Sequence, residues 1–149
     1  MMRSHQLLNR VFLVPATMMV LGLTASAASA QLYNPIDLSS GREISDTLSD
    51  NDIPTGFGGF SRDYVVELQS GDQITIDVMS EEFDTLVSLI DGSGITISEN
   101  DDGPDGTTNS LLFARITTSG QYTVRVRSYA GQGTGSFSLK LARLREIVE

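Results

Sequence analysis

Ser119-Gly120-Gln121-Tyr122-Thr123-Val124-Arg125-Val126-Arg127 opens on a turn pair and continues as a strict alternation. Tyr122, Val124 and Val126 fall on one side of an extended chain, and Thr123, Arg125 and Arg127 on the other. Period 2 is the mark of a strand with one buried face. The same alternation recurs outward in both directions. It places Tyr64, Val66 and Leu68 against Asp63, Val65 and Glu67, and Ile74, Ile76 and Val78 against Thr75 and Asp77. It also places Leu112, Ala114 and Ile116 against Phe113 and Arg115, and Phe137, Leu139 and Leu141 against Ser138 and Lys140. Ile44–Leu48, Thr85–Ile90 and Ile95–Ser98 complete a set of about eight short strands.

Turn chemistry separates the runs. Ser70-Gly71-Asp72, Asp91-Gly92-Ser93-Gly94, Asp102-Gly103-Pro104-Asp105-Gly106, Ser119-Gly120 and Gly131-Gln132-Gly133-Thr134-Gly135 all combine glycine with residues that bond their own backbone. Ser70-Gly71-Asp72-Gln73-Ile74-Thr75-Ile76 echoes Ser119-Gly120-Gln121-Tyr122-Thr123-Val124, a shared turn-then-strand solution. A helical period is conceivable only from Ala142 onward. The fold class that follows is an all-β antiparallel sandwich, jelly-roll-like, with strand order left open.

The first thirty residues read differently. Arg3 and Arg10 precede an apolar run from Val11 to Leu23, and Ala28-Ser29-Ala30 closes a small, neutral stretch. This is the pattern of a secretory signal peptide cleaved after Ala30. The run is short of the roughly 20 residues of a membrane span, and no later segment reaches that length. The organisation expected is a signal over 1–30, a leader or linker over 31–41, the sandwich over 42–144 and a tail over 145–149. The localisation expected is secreted, extracellular or periplasmic, with no membrane insertion after cleavage.

The chain has 149 residues and a net charge of −9. Without Arg3 and Arg10, eight basic residues face nineteen acidic ones, a net of −11. Such a surface repels phosphate backbones, which argues against nucleic acid as a partner. There is no cysteine, and the single histidine, His5, lies in the signal. Disulfides, a Ser-His-Asp triad, a Cys-His pair and a histidine-ligated zinc are therefore excluded from the exported chain. No pair of carboxylates is set apart by an apolar pocket or a motif, so the chain is not expected to be an enzyme.

A longer resemblance builds from these elements. Arg62-Asp63-Tyr64-Val65-Val66-Glu67-Leu68 with Gly71 comes first, then Phe83-Asp84-Thr85-Leu86-Val87-Ser88-Leu89-Ile90-Asp91 with Gly94. Asn100-Asp101-Asp102-Gly103 and Asn109-Ser110 follow, then Ser119 to Val126 and Gly135-Ser136-Phe137-Ser138-Leu139. In this order and spacing the stretch from Ile44 to Leu141 resembles the bacterial pre-peptidase C-terminal domain, and is similar to the collagen-binding modules of collagenases. The resemblance implies a β-sandwich associated with secreted proteases and other exoenzymes, in which related modules bind substrate and calcium.

Two acid-rich regions suit an oxygen-seeking cation such as Ca2+. The first is the loop from Glu99 to Asp105, with Asp101, Asp102, Asp105, Asn109 and, across the fold, Asp84. It lacks the EF-hand pattern, since the twelfth position from Asp101 is Leu112. Asx-turns that only shape the loop account for the same residues. The alternative set is Asp50, Asp52 and Asp63, which the resemblance to collagenase modules implies, with Asp37 near it. For ligand contact the candidates are Phe57 and Phe60 in a glycine-rich loop, Phe113 on an outward strand position, and Tyr129 at a strand end. Arg125 and Arg127 are expected to share an outward face with Arg115 and to pair with acids on neighbouring strands. The function expected is a secreted, non-catalytic, calcium-associated module that binds an extracellular protein or polysaccharide. The alternative is an accessory, chaperone or envelope partner of a separately encoded secreted protease or exoenzyme.

Overall fold

The computed structural model describes residues 33, 35–38, 43–104 and 106–144. The expected signal peptide and the tail over 145–149 lie outside them. Ten strands form two sheets: β1 Ile36–Asp37, β2 Glu43–Leu48, β3 Ile53–Pro54, β4 Phe60–Leu68, β5 Gln73–Met79, β6 Thr85–Ile90, β7 Thr96–Asn100, β8 Ser110–Arg115, β9 Gly120–Ser128 and β10 Gly135–Leu144. One sheet runs β1-β4-β9-β6-β7, with β3 also paired to β4, and the other runs β2-β10-β5-β8. Among the eight longer strands, only β6 and β7 are consecutive and paired in one sheet. Every other connection between them crosses from sheet to sheet, and the two orders are those of a wound jelly roll.

Alternation puts the expected residues inside. Tyr64, Val66, Leu68, Ile74, Ile76, Val78, Leu112, Ala114, Ile116, Tyr122, Val124, Val126, Phe137, Leu139 and Leu141 are all buried in one core. Phe137 packs edge-on against both Tyr64 and Phe83, with ring centroids 6.5 and 6.1 Å apart. The hydroxyls of Thr85 and Ser110, 2.6 Å apart, join the two sheets at a point where both are buried.

Two expectations are corrected. The stretch assigned to a linker is in part structural: Ile36 and Asp37 pair parallel with Tyr64 and Val65, and Leu38 is buried in the core. Pro35 and the serines around it hid a strand only two residues long. The helical period from Ala142 is also not realised over the described residues 142–144. Ala142, Arg143 and Leu144 continue β10 against Thr75, Ile74 and Gln73, because an unfinished ladder on β5 outweighs local propensity.

Antiparallel winding sends successive connections to opposite ends. The connections 69–72, 91–95 and 116–119 share one end, and 49–59, 80–84, 101–109 and 129–134 share the other. The first group is tied by its own backbone: Gly71 N–H donates to the Ile116 carbonyl and Ile116 N–H to that of Asp72, both at 2.8 Å. Here the two echoing turns meet, with Ser70 N–H on Ser119 Oγ and Ser70 Oγ on the Thr117 carbonyl, both at 2.9 Å.

Candidate functional site

The end built from 49–59, 80–84, 101–109 and 129–134 collects most of the candidate residues. Its centre is a contact between two backbones. Gly59 and Gly131 pack so closely that a Cβ on Gly131 would lie 2.4 Å from the Gly58 carbonyl oxygen, and Gly131 has φ +70°. Only glycine meets both conditions. Thr55 Oγ1 donates to the Gly58 carbonyl at 2.5 Å, and Thr55 N–H to that of Gly59 at 3.1 Å, which closes the loop on itself. Tyr129 N–H donates to the Asp84 carbonyl at 2.8 Å. This shaped pair of loops carries Phe57 at its tip, 96% exposed, with Tyr129 half exposed on the adjoining turn. Ala130, next to Tyr129, takes a left-handed conformation at φ 52°.

The other two aromatic candidates do not join them. Phe60 begins β4 and packs partly against the core, because it continues the inward phase of Tyr64. Phe113 is exposed as its phase predicts, but on the outer face of the β2-β10-β5-β8 sheet.

The four loops contain no lysine or arginine. Seven described acids lie in them: Asp50, Asp52, Glu81, Glu82, Asp84, Asp101 and Asp102. Of these, only Asp52 is in an ion pair among the described residues. Its Oδ1 receives Arg62 Nη1 at 2.6 Å, while its Oδ2 caps the Ser49 N–H at 2.8 Å. Arg62 Nε also meets Asp46 Oδ2 at 2.7 Å, and Tyr64 Oη donates to that same oxygen at 2.8 Å. Burial works against the charge of Arg62, yet the hydrogen bonds of Asp46 and Asp52 outweigh it and hold its pKa above the ordinary value. Burial, then the neighbouring Asp46, pushes the Tyr64 hydroxyl well up. This cluster was missed from the sequence. Its signal was present, since Arg62 shares the inward phase of Tyr64, Val66 and Leu68.

The acids of the alternative metal set are scattered. Asp63 is 4% exposed on the outer face of its sheet. It is clamped by Arg125 Nε and Nη2, each at 2.7 Å, and accepts Tyr33 Oη at 2.8 Å. Asp52 binds Arg62, whose side chain leaves the opposite face of the same strand, so Asp50, Asp52 and Asp63 do not share a site. Asn109 Oδ1 accepts the Ser80 N–H at 3.0 Å, and the Asp102 carbonyl accepts Leu111 N–H and Asn100 Nδ2 at 2.9 and 2.7 Å. Asp105 lies outside the described residues. Among the described residues no three acidic side chains come close enough together to hold a cation.

The outward arginines pair with acids of their own sheet, Arg125 with its directly opposed neighbour on β4 and Arg127 across β6 with an acid of β7. Arg125 takes Asp63, and Arg127 Nη2 takes Glu99 Oε2 at 3.0 Å. Arg115 does not share their face: β8 belongs to the other sheet. Strand phase gives a direction relative to a sheet, not which sheet.

Among the described residues no helix is long and apolar enough to cross a membrane. The class defined is thus a two-sheet jelly roll with one tied end and one end of acidic, aromatic-tipped loops. Residues 60–128, from the start of β4 to the end of β9, match the bacterial pre-peptidase C-terminal domain, a family of non-catalytic sandwich modules found with secreted peptidases. No curated protein matches the chain by sequence. Among solved structures, the pre-peptidase C-terminal domain of a Bacillus anthracis collagenase superposes with a TM-score of 0.56 at 13% identity, covering 72% of this chain and 94% of that one. PliG of Aeromonas hydrophila, a periplasmic inhibitor of g-type lysozyme, gives 0.55 at 13% identity over 74% and 96%. PliG of Salmonella Typhimurium gives 0.51 at 12% identity over 74% and 98%. At these identities the likeness is one of fold.

Proposed function

We propose that this chain is an exported, non-catalytic binding module that docks its loop end onto a cationic extracellular or periplasmic protein. The observation that carries the reading is Phe57. A phenylalanine held almost wholly in water, on a loop braced by backbone contact, is costly unless something covers it. Aromatic anchors of this kind supply much of the affinity of protein interfaces. The surrounding acids, without a lysine or arginine in the same loops, speed encounter with a positive surface and reject a negative one. Export rests on the pattern of residues 1–30. The PliG structures belong to proteins that inhibit a lysozyme, an instance of this fold in protein recognition. The association of the family with secreted peptidases favours a secreted exoenzyme as the cationic partner.

The test is capture from secreted protein fractions and from polysaccharide preparations, at low and high salt, by the chain and by Phe57→Ala. Salt-sensitive retention of basic proteins supports the reading. Phe57→Ala is expected to weaken it about 30-fold or more, in the range of an interface anchor, while leaving thermal unfolding unchanged. Retention of polysaccharide alone, or undiminished binding by Phe57→Ala, overturns it.

A further inference from the structure

β8 closes one side of the β2-β10-β5-β8 sheet, and its free side differs from the other sheet edges. Leu111 N–H turns away from β5 to the Asp102 carbonyl at 2.9 Å, and the Leu111 carbonyl accepts Asn100 Nδ2 at 2.8 Å. Backbone direction in an antiparallel ladder repeats every second residue. The N–H and C=O of Phe113 and Arg115 therefore point the same way, past the last strand, with no partner among the described residues. Edges of this kind are usually blunted by charge. The strands β1, β2 and β7 carry Asp37, Glu43 with Asp46, and Glu99, respectively. β8 carries no acid. Its outward side chains are Leu111, Phe113, 55% exposed, and the exposed Arg115, which makes no ion pair among the described residues.

We infer that this edge pairs with the same edge of a second copy, about a two-fold axis at Ala114. That register sets Phe113 of each copy directly opposite Arg115 of the other, and each such pair exchanges both of its N–H···O bonds. Opposed side chains lie on one face within reach of each other, so each Arg115 guanidinium covers a Phe113 ring. The ladder stops at Leu111, whose backbone is already engaged by Asn100 and Asp102. An isologous contact of this size closes as a dimer and does not propagate. The choice of a second copy follows from charge. In an acidic chain, self-association needs an edge where negative charges do not meet, and β8 offers an aromatic ring and an unpaired cation that complement each other across the axis. The antiparallel pairing leaves the two loop ends at opposite poles, free for the docking proposed above but independent of it.

The chain has no cysteine, which makes the register testable. Phe113→Cys and Arg115→Cys, mixed under mild oxidation, are expected to give a cross-linked dimer several-fold more abundant than either variant alone. The mixed dimer keeps one intact Phe113–Arg115 pair, and the opposed Cα atoms of a ladder pair lie within disulfide reach. Sedimentation of the unmodified chain is expected to show a concentration-dependent dimer in the micromolar range. Arg115→Glu is expected to weaken it at least tenfold with an unchanged unfolding temperature. A monomer at every concentration, equal cross-linking by one variant alone, or an Arg115→Glu dimer of undiminished affinity overturns the inference.

Discussion

At the end formed by 69–72, 91–95 and 116–119, turn backbones bond to one another, and Asp72 lies beside Arg143, its Oδ2 3.3 Å from Nε. At the end formed by 49–59, 80–84, 101–109 and 129–134, loops project acids and Phe57 into water. Both ends join the same strands of the same sandwich. The first spends its polar groups on itself, which stabilises the fold and leaves little to offer a partner. The second is also tied, at the Gly59–Gly131 contact, the Arg62 cluster and the bonds of Tyr129 to Asp84 and of Ser80 to Asn109, but among the described residues all of its acids except Asp52 are without an ion pair. The docking proposed above falls at the end whose acids have the fewest cations of their own.

The strongest challenge to this contrast is at Arg62. Arg62→Ala leaves Asp46 and Asp52 without their cation in a half-buried setting, and is expected to cost about 2–3 kcal/mol, below the range for a fully buried pair. Urea unfolding measures it. A cost under about 0.5 kcal/mol would mean that the loop end is not held by this cluster.

Gly131→Ala should cost about 2 kcal/mol, since a left-handed residue and a backbone overlap act together. It should also reduce partner capture by displacing Phe57. Gly71→Ala at the tied end meets nothing within 4 Å, and its φ of +94° alone should cost about 1 kcal/mol. It should leave capture unchanged. Equal stability losses, or a capture defect in Gly71→Ala, would erase the distinction between the ends.

The smallest effect is one of pH. Burial opposes the charge of Glu99, but Ser88 and Arg127 more than compensate and hold its carboxyl below the ordinary range. Its contribution is complete above the unfolded carboxylate value of about 4.3 and is lost as pH falls through the lower folded value. The pair is partly exposed, so Glu99→Gln should flatten the acid limb of the stability curve only slightly. An acid limb identical to that of the unmodified chain would show that Arg127 and Glu99 are not coupled in solution.

How much was legible depends on the reach of each signal. Alternation named the buried members of β4, β5, β8, β9 and β10, because period 2 is imposed by the backbone itself. Two-residue β1 and β3 were illegible, since a strand that short has no period and exists only because β4 offers a free edge. Phe57 and Tyr129 were read as candidates from exposure and turn context, but nothing local says that their loops touch. Phe60 was misread for the same reason: it sits beside a glycine-rich loop, yet continues the phase of a core strand. Arg62 was legible in principle from that phase and was overlooked among outward charges. The acids of 99–105 and 50–63 looked alike in sequence, whereas their partners, Arg62 for Asp52 and Arg125 with Tyr33 for Asp63, come from distant positions.

The sequence by itself determined the class of fold, the inward face of most long strands, the acidic balance and the absence of cysteine and histidine chemistry from residues after His5. These follow from local periodicity and composition, which need no knowledge of neighbours. Only the tertiary structure decided which strands pair, which sheet each arginine faces, which loops meet at one end, and that β8 lacks a neighbouring strand on one side among the described residues. Those are relations between residues far apart in the chain, set by how two twisted sheets close over one core.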